Sequence, residues 1–276
     1  MSVARRLAWL ALLVLAGCGV LRFAYNHADV FLRWQLGRYL DVHGAQSEEL
    51  DARIAKFVAW HRANALPQYA GLLADASKRI ERGLSQQDLV WGYDSVQAQI
   101  REGVRVGAAD IADLLDRLTP EQIEHLERRF AEDNRKFARD NLKGSDEERR
   151  RRRAKRNIDR LEEWLGELNE GQIERVRRYS DAAPFSDAHR DRERKRLQSE
   201  LLAMIRAREA TARLAAWAAT WESRREPAHA AVVRAQRMEY FAMLLDLEKS
   251  LTAAQRESVQ RRMRELTADF QRLSRK

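Results

Sequence analysis

A five-residue phrase, "LTPEQ" at Leu118–Gln122, recurs along this chain and restricts what it can fold into. Its other copies are "LSQQD" at Leu84, "LNEGQ" at Leu168, "LTAAQ" at Leu251 and a degraded "VHGAQ" at Val42. Each slot suits the first turn of an α-helix. Thr119 is the N-cap, its hydroxyl accepting from the N3 amide, and Pro120 at N1 has no amide to leave unbonded. Gln122 at N3 reaches back to the N-cap amide, while Glu121 favours the positive end of the helix dipole. Leu118 at N′ staples to Ile123 at N4. Leu251, Thr252 and Gln255 fill the same slots in the last copy, where Arg256 replaces the staple partner. The phrase predicts helix starts near 43, 85, 119, 169 and 252. Its spacings of 42, 34, 50 and 83 residues are irregular, so it is not a solenoid period.

Between these starts the sequence offers helix and little else. No glycine follows Gly171, there are four prolines, and Ala, Leu, Arg, Glu and Gln dominate. The expected fold is all-α, an elongated bundle of long, mostly antiparallel helices with coiled-coil-like hairpins. Val259, Met263, Leu266, Phe270 and Leu273 step by four and three, the spacing of such packing. Pro67 marks a kink or break in a helix from about 44 to 82. Another long helix opens at Ser186 and is expected to run to Arg225.

The aromatic segment after Gly19 carries Phe23, Tyr25, Phe31, Trp34 and Tyr39. Two readings exist: an interfacial face lying on a membrane, or core. Asn26, Asp29 and Arg33 form one polar stripe, so the core reading is favoured. The arginine run "RRRRRAKR", Arg149–Arg156, follows a Ser145–Glu148 capping box. At 100° per residue five successive arginines surround a helix, so the run reads as a solvated helix start, with an anionic docking site as the alternative.

The N-terminus sets the compartment. Arg5 and Arg6 precede an apolar run, Leu7–Ala16, that closes on "LAGC", Leu15–Cys18. This resembles the bacterial lipobox. The resemblance implies that 1–17 is a lipoprotein signal peptide and that Cys18 is acylated and heads the mature chain. Gly19 after it implies an outer-membrane anchor facing the periplasm. The stretch Leu7–Leu21 is too short for a transmembrane span, which needs roughly twenty apolar residues. Cys18 is the only cysteine, so no intrachain disulfide can form. Removing Arg5 and Arg6 lowers the formal charge from +9 to +7, still basic. Basic character invites a nucleic-acid reading, but export argues against nucleic acid as a partner. The expected partners are the membrane through lipidated Cys18, envelope proteins and anionic envelope polymers. Residues 18–276 read as a single elongated helical domain, with 143–145 as the place where two lobes would divide. The oligomeric state is left open.

Two family resemblances add to this. "YNHAD" at Tyr25–Asp29, the aromatic helix, "VHGAQ" and "AWHRANALPQYAGLL" at Ala59–Leu73 resemble uncharacterised proteobacterial lipoproteins, a domain of unknown function. That likeness implies lipidation and a helical fold but no activity. The recurring phrase also resembles the LTxxQ motif of small periplasmic chaperones and envelope-stress proteins. The strict matches are Leu118, Thr119 and Gln122, and Leu251, Thr252 and Gln255. It implies client binding on a concave, basic, hydrophobic surface, beside the favoured capping role.

No metalloprotease, phosphate-loop or nucleophile-elbow motif occurs, so no catalytic residue, cofactor or metal is assigned. Glu121 and His125 share a helix face at i,i+4, but a third ligand is not evident. The functional expectation is a lipid-anchored, non-catalytic envelope protein that binds proteins or envelope components, with a chaperone-like or stress role. The alternative is an envelope enzyme acting on cell-wall material.

Overall fold

The computed structural model describes residues 21–275. The expected signal peptide, 1–17, and the expected lipid-attachment residue Cys18 lie outside them. Among the described residues there is no strand. The chain runs through α1 (Ala28–Leu40), α2 (Ala45–Trp60), α3 (Leu66–Glu81), α4 (Gln86–Asp116), α5 (Pro120–Asn141), α6 (Asp146–Leu165), α7 (Glu170–Ala182), α8 (Asp187–Arg206), α9 (Ala210–Ala219), α10 (Pro227–Lys249) and α11 (Ala253–Ser274).

Helix starts fall where local chemistry places them. Capping boxes close at Ser85–Asp88, Thr119–Gln122, Ser145–Glu148, Asn169–Gln172 and Thr252–Gln255. Pro67 does not break its helix. A π-helical segment, His61–Ala65, joins α2 to α3, and the Leu66 amide bonds the His61 carbonyl five residues back. The wider turn brings Pro67 into the first positions of α3, where its missing amide is tolerated.

The helix expected from Ser186 to Arg225 is interrupted, because Arg208 takes a left-handed φ of 60° between α8 and α9. The interruption is held from a distant part of the chain. Asp116, at the end of α4, accepts the Ala210 and Thr211 amides at 2.7 and 2.9 Å and so caps α9. The Arg208 guanidinium returns to the carbonyls of Asp116 and Leu118.

Apolar burial gathers in clusters that cross the chain order. The largest combines Leu50 and Ile54 of α2, Leu114 of α4, Leu118, Ile123 of α5, Ile205 of α8 and Leu214 of α9. Two smaller ones are built around Val176 and Met243, and around Leu168 and Val259. Helices distant in sequence pair along their lengths: α3 against α11, and α4 against α9. α4 has 31 residues and is therefore about 46 Å long.

α1 corrects the expectation of buried aromatics. Leu32, Leu36 and Leu40, four residues apart, pack on the largest cluster. That stripe rotates Phe31 and Trp34 outward, each to 57% exposure, with Val30 beside them; Phe23, ahead of α1, is 68% exposed. Tyr25 and Tyr39 are half-buried; the Tyr25 hydroxyl meets His61 Nδ1 at 2.8 Å.

Candidate functional site

The residues of the recurring phrase sit at helix ends inside the fold. Leu118, Gln122 and Gln255 are buried and Leu251 is half-buried, leaving Thr119 and Thr252 exposed. The glutamines do more than close their own caps. Gln172 Oε1 accepts from the Asn169 amide at 3.1 Å, while its Nε2 donates to Gln255 Oε1 at 2.9 Å and the Ser250 carbonyl at 3.2 Å. Gln255 mirrors it. Its Oε1 accepts from Thr252, and its Nε2 donates to Gln172 Oε1 and the Glu167 carbonyl, both at 2.9 Å. Gln122 repeats the pattern, donating to the Asp41 carbonyl at 3.0 Å and Gln46 Oε1 at 2.7 Å. The copies thus interlock in two pairs, 42–46 with 118–122 and 168–172 with 251–255. The remaining copy differs: Asp88 bonds Ser85, Arg79 and Arg82, which together hold its carboxyl well below the usual range.

Part of the arginine run lines a cavity. Arg149 and Arg153 lie over the Phe185 ring at 3.8 and 4.4 Å, and Arg153 is buried, donating to the Ala183 carbonyl at 2.6 Å. The expectation of a fully solvated run is therefore corrected: i,i+4 spacing tucks two arginines onto one ring. Arg153, Arg156 and Arg160, on one face of α6, line a cavity of about 530 Å³. Arg190 and Arg194 of α8 join them, with Arg225 and His229 at the start of α10. Six arginines face two carboxylates, a surplus of four positive charges.

Both carboxylates are engaged. Asp187 pairs with Arg149 at 2.9 Å and Arg190 at 3.7 Å, and Glu193 pairs with Arg196 at 2.9 Å. Among the described residues no carboxylate pairs with Arg153, Arg156, Arg160, Arg194 or Arg225. His229 is buried and stacks on His189 at 5.6 Å, yet neither ring nitrogen has a hydrogen-bond partner. Burial, and then the Arg225 charge, push its pKa down, so it is neutral at pH 7. The Nε atoms of Arg194 and Arg225 are also unpartnered. Buried donors without acceptors are costly, and a ligand rich in acceptor oxygens would relieve them. Arginine forks match phosphate and carboxylate oxygens in pairs.

An apolar cavity of about 610 Å³ adjoins this one, between α3, α4, α7 and α10. Ile80, Leu84, Leu89, Val96, Phe241 and Leu244 line it, with Arg79 and Arg237 among them. Tyr179, Val233 and Gln236 line both cavities. The signal available in sequence was the spacing of Arg153, Arg156 and Arg160. The convergence of α8 and α10 on that face had no local signature.

The other nominated groups do not assemble into chemistry. His125 Nε2 lies 2.9 Å from the Arg38 carbonyl, away from any shared site with Glu121. Among the described residues no cluster of three His, Cys, Asp or Glu is placed to hold a metal ion, and no helix is long and apolar enough to cross a membrane.

A family model described as "Family of unknown function (DUF6279)" matches residues 38–223, and the chain belongs to that family. The match takes in α2 to α9 and the arginines of α6 and α8, and stops just short of Arg225. No curated protein and no solved structure matches the chain.

Proposed function

For this member of the DUF6279 family, we propose a lipid-anchored, non-catalytic envelope protein that binds anionic envelope components in the arginine-lined cavity. The observation that carries the reading is the set of five arginines there without a carboxylate partner among the described residues, beside buried donors that have no acceptor. A phosphate or carboxylate group would satisfy both at once.

The anchoring half of the proposal comes from the lipobox-like "LAGC" and from α1. Two acyl chains already hold a protein stably at a bilayer. Trp34 lies sixteen residues after Cys18, and Phe23 only five. Phe23, Phe31 and Trp34 are thus exposed within reach of the anchor, where aromatic rings suit the head-group region. The proposed location is the outer membrane, facing the periplasm, and nucleic acid is not a partner under this reading. The chaperone-like and cell-wall-enzyme readings rank lower. The leucine and glutamines of the strict motif copies are largely inside the fold, and the carboxylates of the cavity are already ion-paired.

Two measurements check this. Cys18→Ala releases the protein from the membrane pellet into the soluble fraction; a variant that still pellets with membranes overturns the anchor. Arg156→Glu combined with Arg160→Glu weakens binding of inorganic tripolyphosphate at least tenfold, about 1.4 kcal/mol. Both side chains are exposed at the cavity, so the fold should tolerate the change. Unchanged affinity in calorimetric titration removes the arginine cavity from the proposal.

A further inference from the structure

We propose that the ligand of this protein is an anionic amphiphile: a phosphorylated head group held by the arginines, with its acyl chain in the adjoining apolar cavity. The inference rests on the reading of the arginine cavity as a binding site and names the ligand class.

The two cavities are chemically opposite and share a wall. One has six arginines around about 530 Å³, the other an almost wholly apolar lining around about 610 Å³. Each is the size of a small-molecule site. They share Tyr179, Val233 and Gln236, so a molecule bound across that wall places one end among guanidinium groups and the other among aliphatic side chains. Tyr179, on the shared wall, is buried, and its ring meets that of Tyr240 on the apolar side at 5.5 Å. A second cation attends the apolar side. Arg237 lies over the Tyr93 ring at 4.5 Å, its Nε has no partner, and no carboxylate pairs with it among the described residues.

The apolar surface extends beyond the cavity. Val96 lines it; Ile100 and Val104 follow on α4 at four-residue spacing, and all three are exposed. Eight residues of helix carry this stripe about 12 Å. At its far end Val104 lines another apolar cavity, of about 410 Å³, beside Phe57, Ile111 and Trp217.

The same observations favour a lipid over an apolar peptide. An extended peptide brings a donor and an acceptor per residue, each needing a partner when buried. The helices around the apolar cavity use their backbone groups internally, Arg79 and Asp88 bond each other, and Ile80, Leu84, Leu89, Val96, Phe241 and Leu244 offer a peptide no partner. An acyl chain brings nothing that needs a hydrogen bond. The arginines then supply the charge match that a bare fatty chain lacks.

The test uses the full lipidated chain in neutral phosphatidylcholine nanodiscs, titrated with glycerol 3-phosphate and with lysophosphatidates of 6 to 12 carbons below their micelle concentration. The expected result is weak binding of glycerol phosphate and a gain of about fourfold for each methylene buried, until the cavity is filled. Val96→Asp, at an exposed position, should flatten that gain while leaving glycerol phosphate binding unchanged. Arg156→Glu with Arg160→Glu should weaken every member of the series by the same factor. Affinity that does not change with chain length, with glycerol phosphate still bound, overturns the amphiphile and leaves the anion site standing. Failure to bind both glycerol phosphate and tripolyphosphate overturns the anion site and the amphiphile together. Saturable binding of a reduced, carboxymethylated polypeptide in place of the lipids also overturns the amphiphile, in favour of an unfolded protein as ligand.

Discussion

Leu118→Ala lowers the free energy of unfolding by about 3 kcal/mol, read as a shift in the urea midpoint with an unchanged slope. Leu118 has 0% exposure and sits where α4 ends, α5 begins and α8 turns into α9. Its side chain packs in the largest apolar cluster, with Leu114, Ile123 and Ile205. Truncation removes the transfer free energy of the lost carbons and leaves a cavity that three helix ends cannot collapse into freely. Two polar devices depend on the same corner: the Thr119–Gln122 box and the Arg208 contact to the Leu118 carbonyl. A loss below about 1 kcal/mol would show that this corner repacks around the truncated side chain.

The second large effect lies at the paired glutamines. Gln172→Ala costs roughly 2 kcal/mol, because it opens its own capping box and strands Gln255, which is buried. Gln255→Ala should cost a similar amount for the mirrored reason. The double variant should cost about 1 kcal/mol less than the sum, since the second truncation removes a group that the first left unsatisfied. Strict additivity within about 0.3 kcal/mol would mean that the two helix ends are capped independently, and the interlock would lose its energetic content.

How much of this was legible follows from distance along the chain. Helix starts were legible, because a cap and its N3 partner are three residues apart. The pairing of the caps was not: Gln172 and Gln255 are 83 residues apart, and nothing in either phrase names the other. The break at Arg208 escaped for the same reason, since the carboxylate that caps α9 belongs to Asp116, 94 residues from Ala210. The α1 aromatics were misplaced because a polar stripe was weighed above the Leu32, Leu36, Leu40 stripe, which decides the buried face. At the candidate site, charge was visible and convergence was not. Arg153, Arg156 and Arg160 become a cavity wall only when α8 and α10 arrive opposite them.

The pairing of α3 with α11 has a consequence for the order in which the molecule can be completed. Arg62 donates to the Leu273 carbonyl at 3.0 Å, Gln260 donates to the Ser77 carbonyl at 3.0 Å, and the Tyr69 ring meets Phe270. Much of the inner face of α3, made early in synthesis, is covered by the 22-residue α11. Contacts separated by nearly two hundred residues form late, after the intervening helices have settled. The face of α3 that α11 packs on therefore stays open until α11 docks, late in folding.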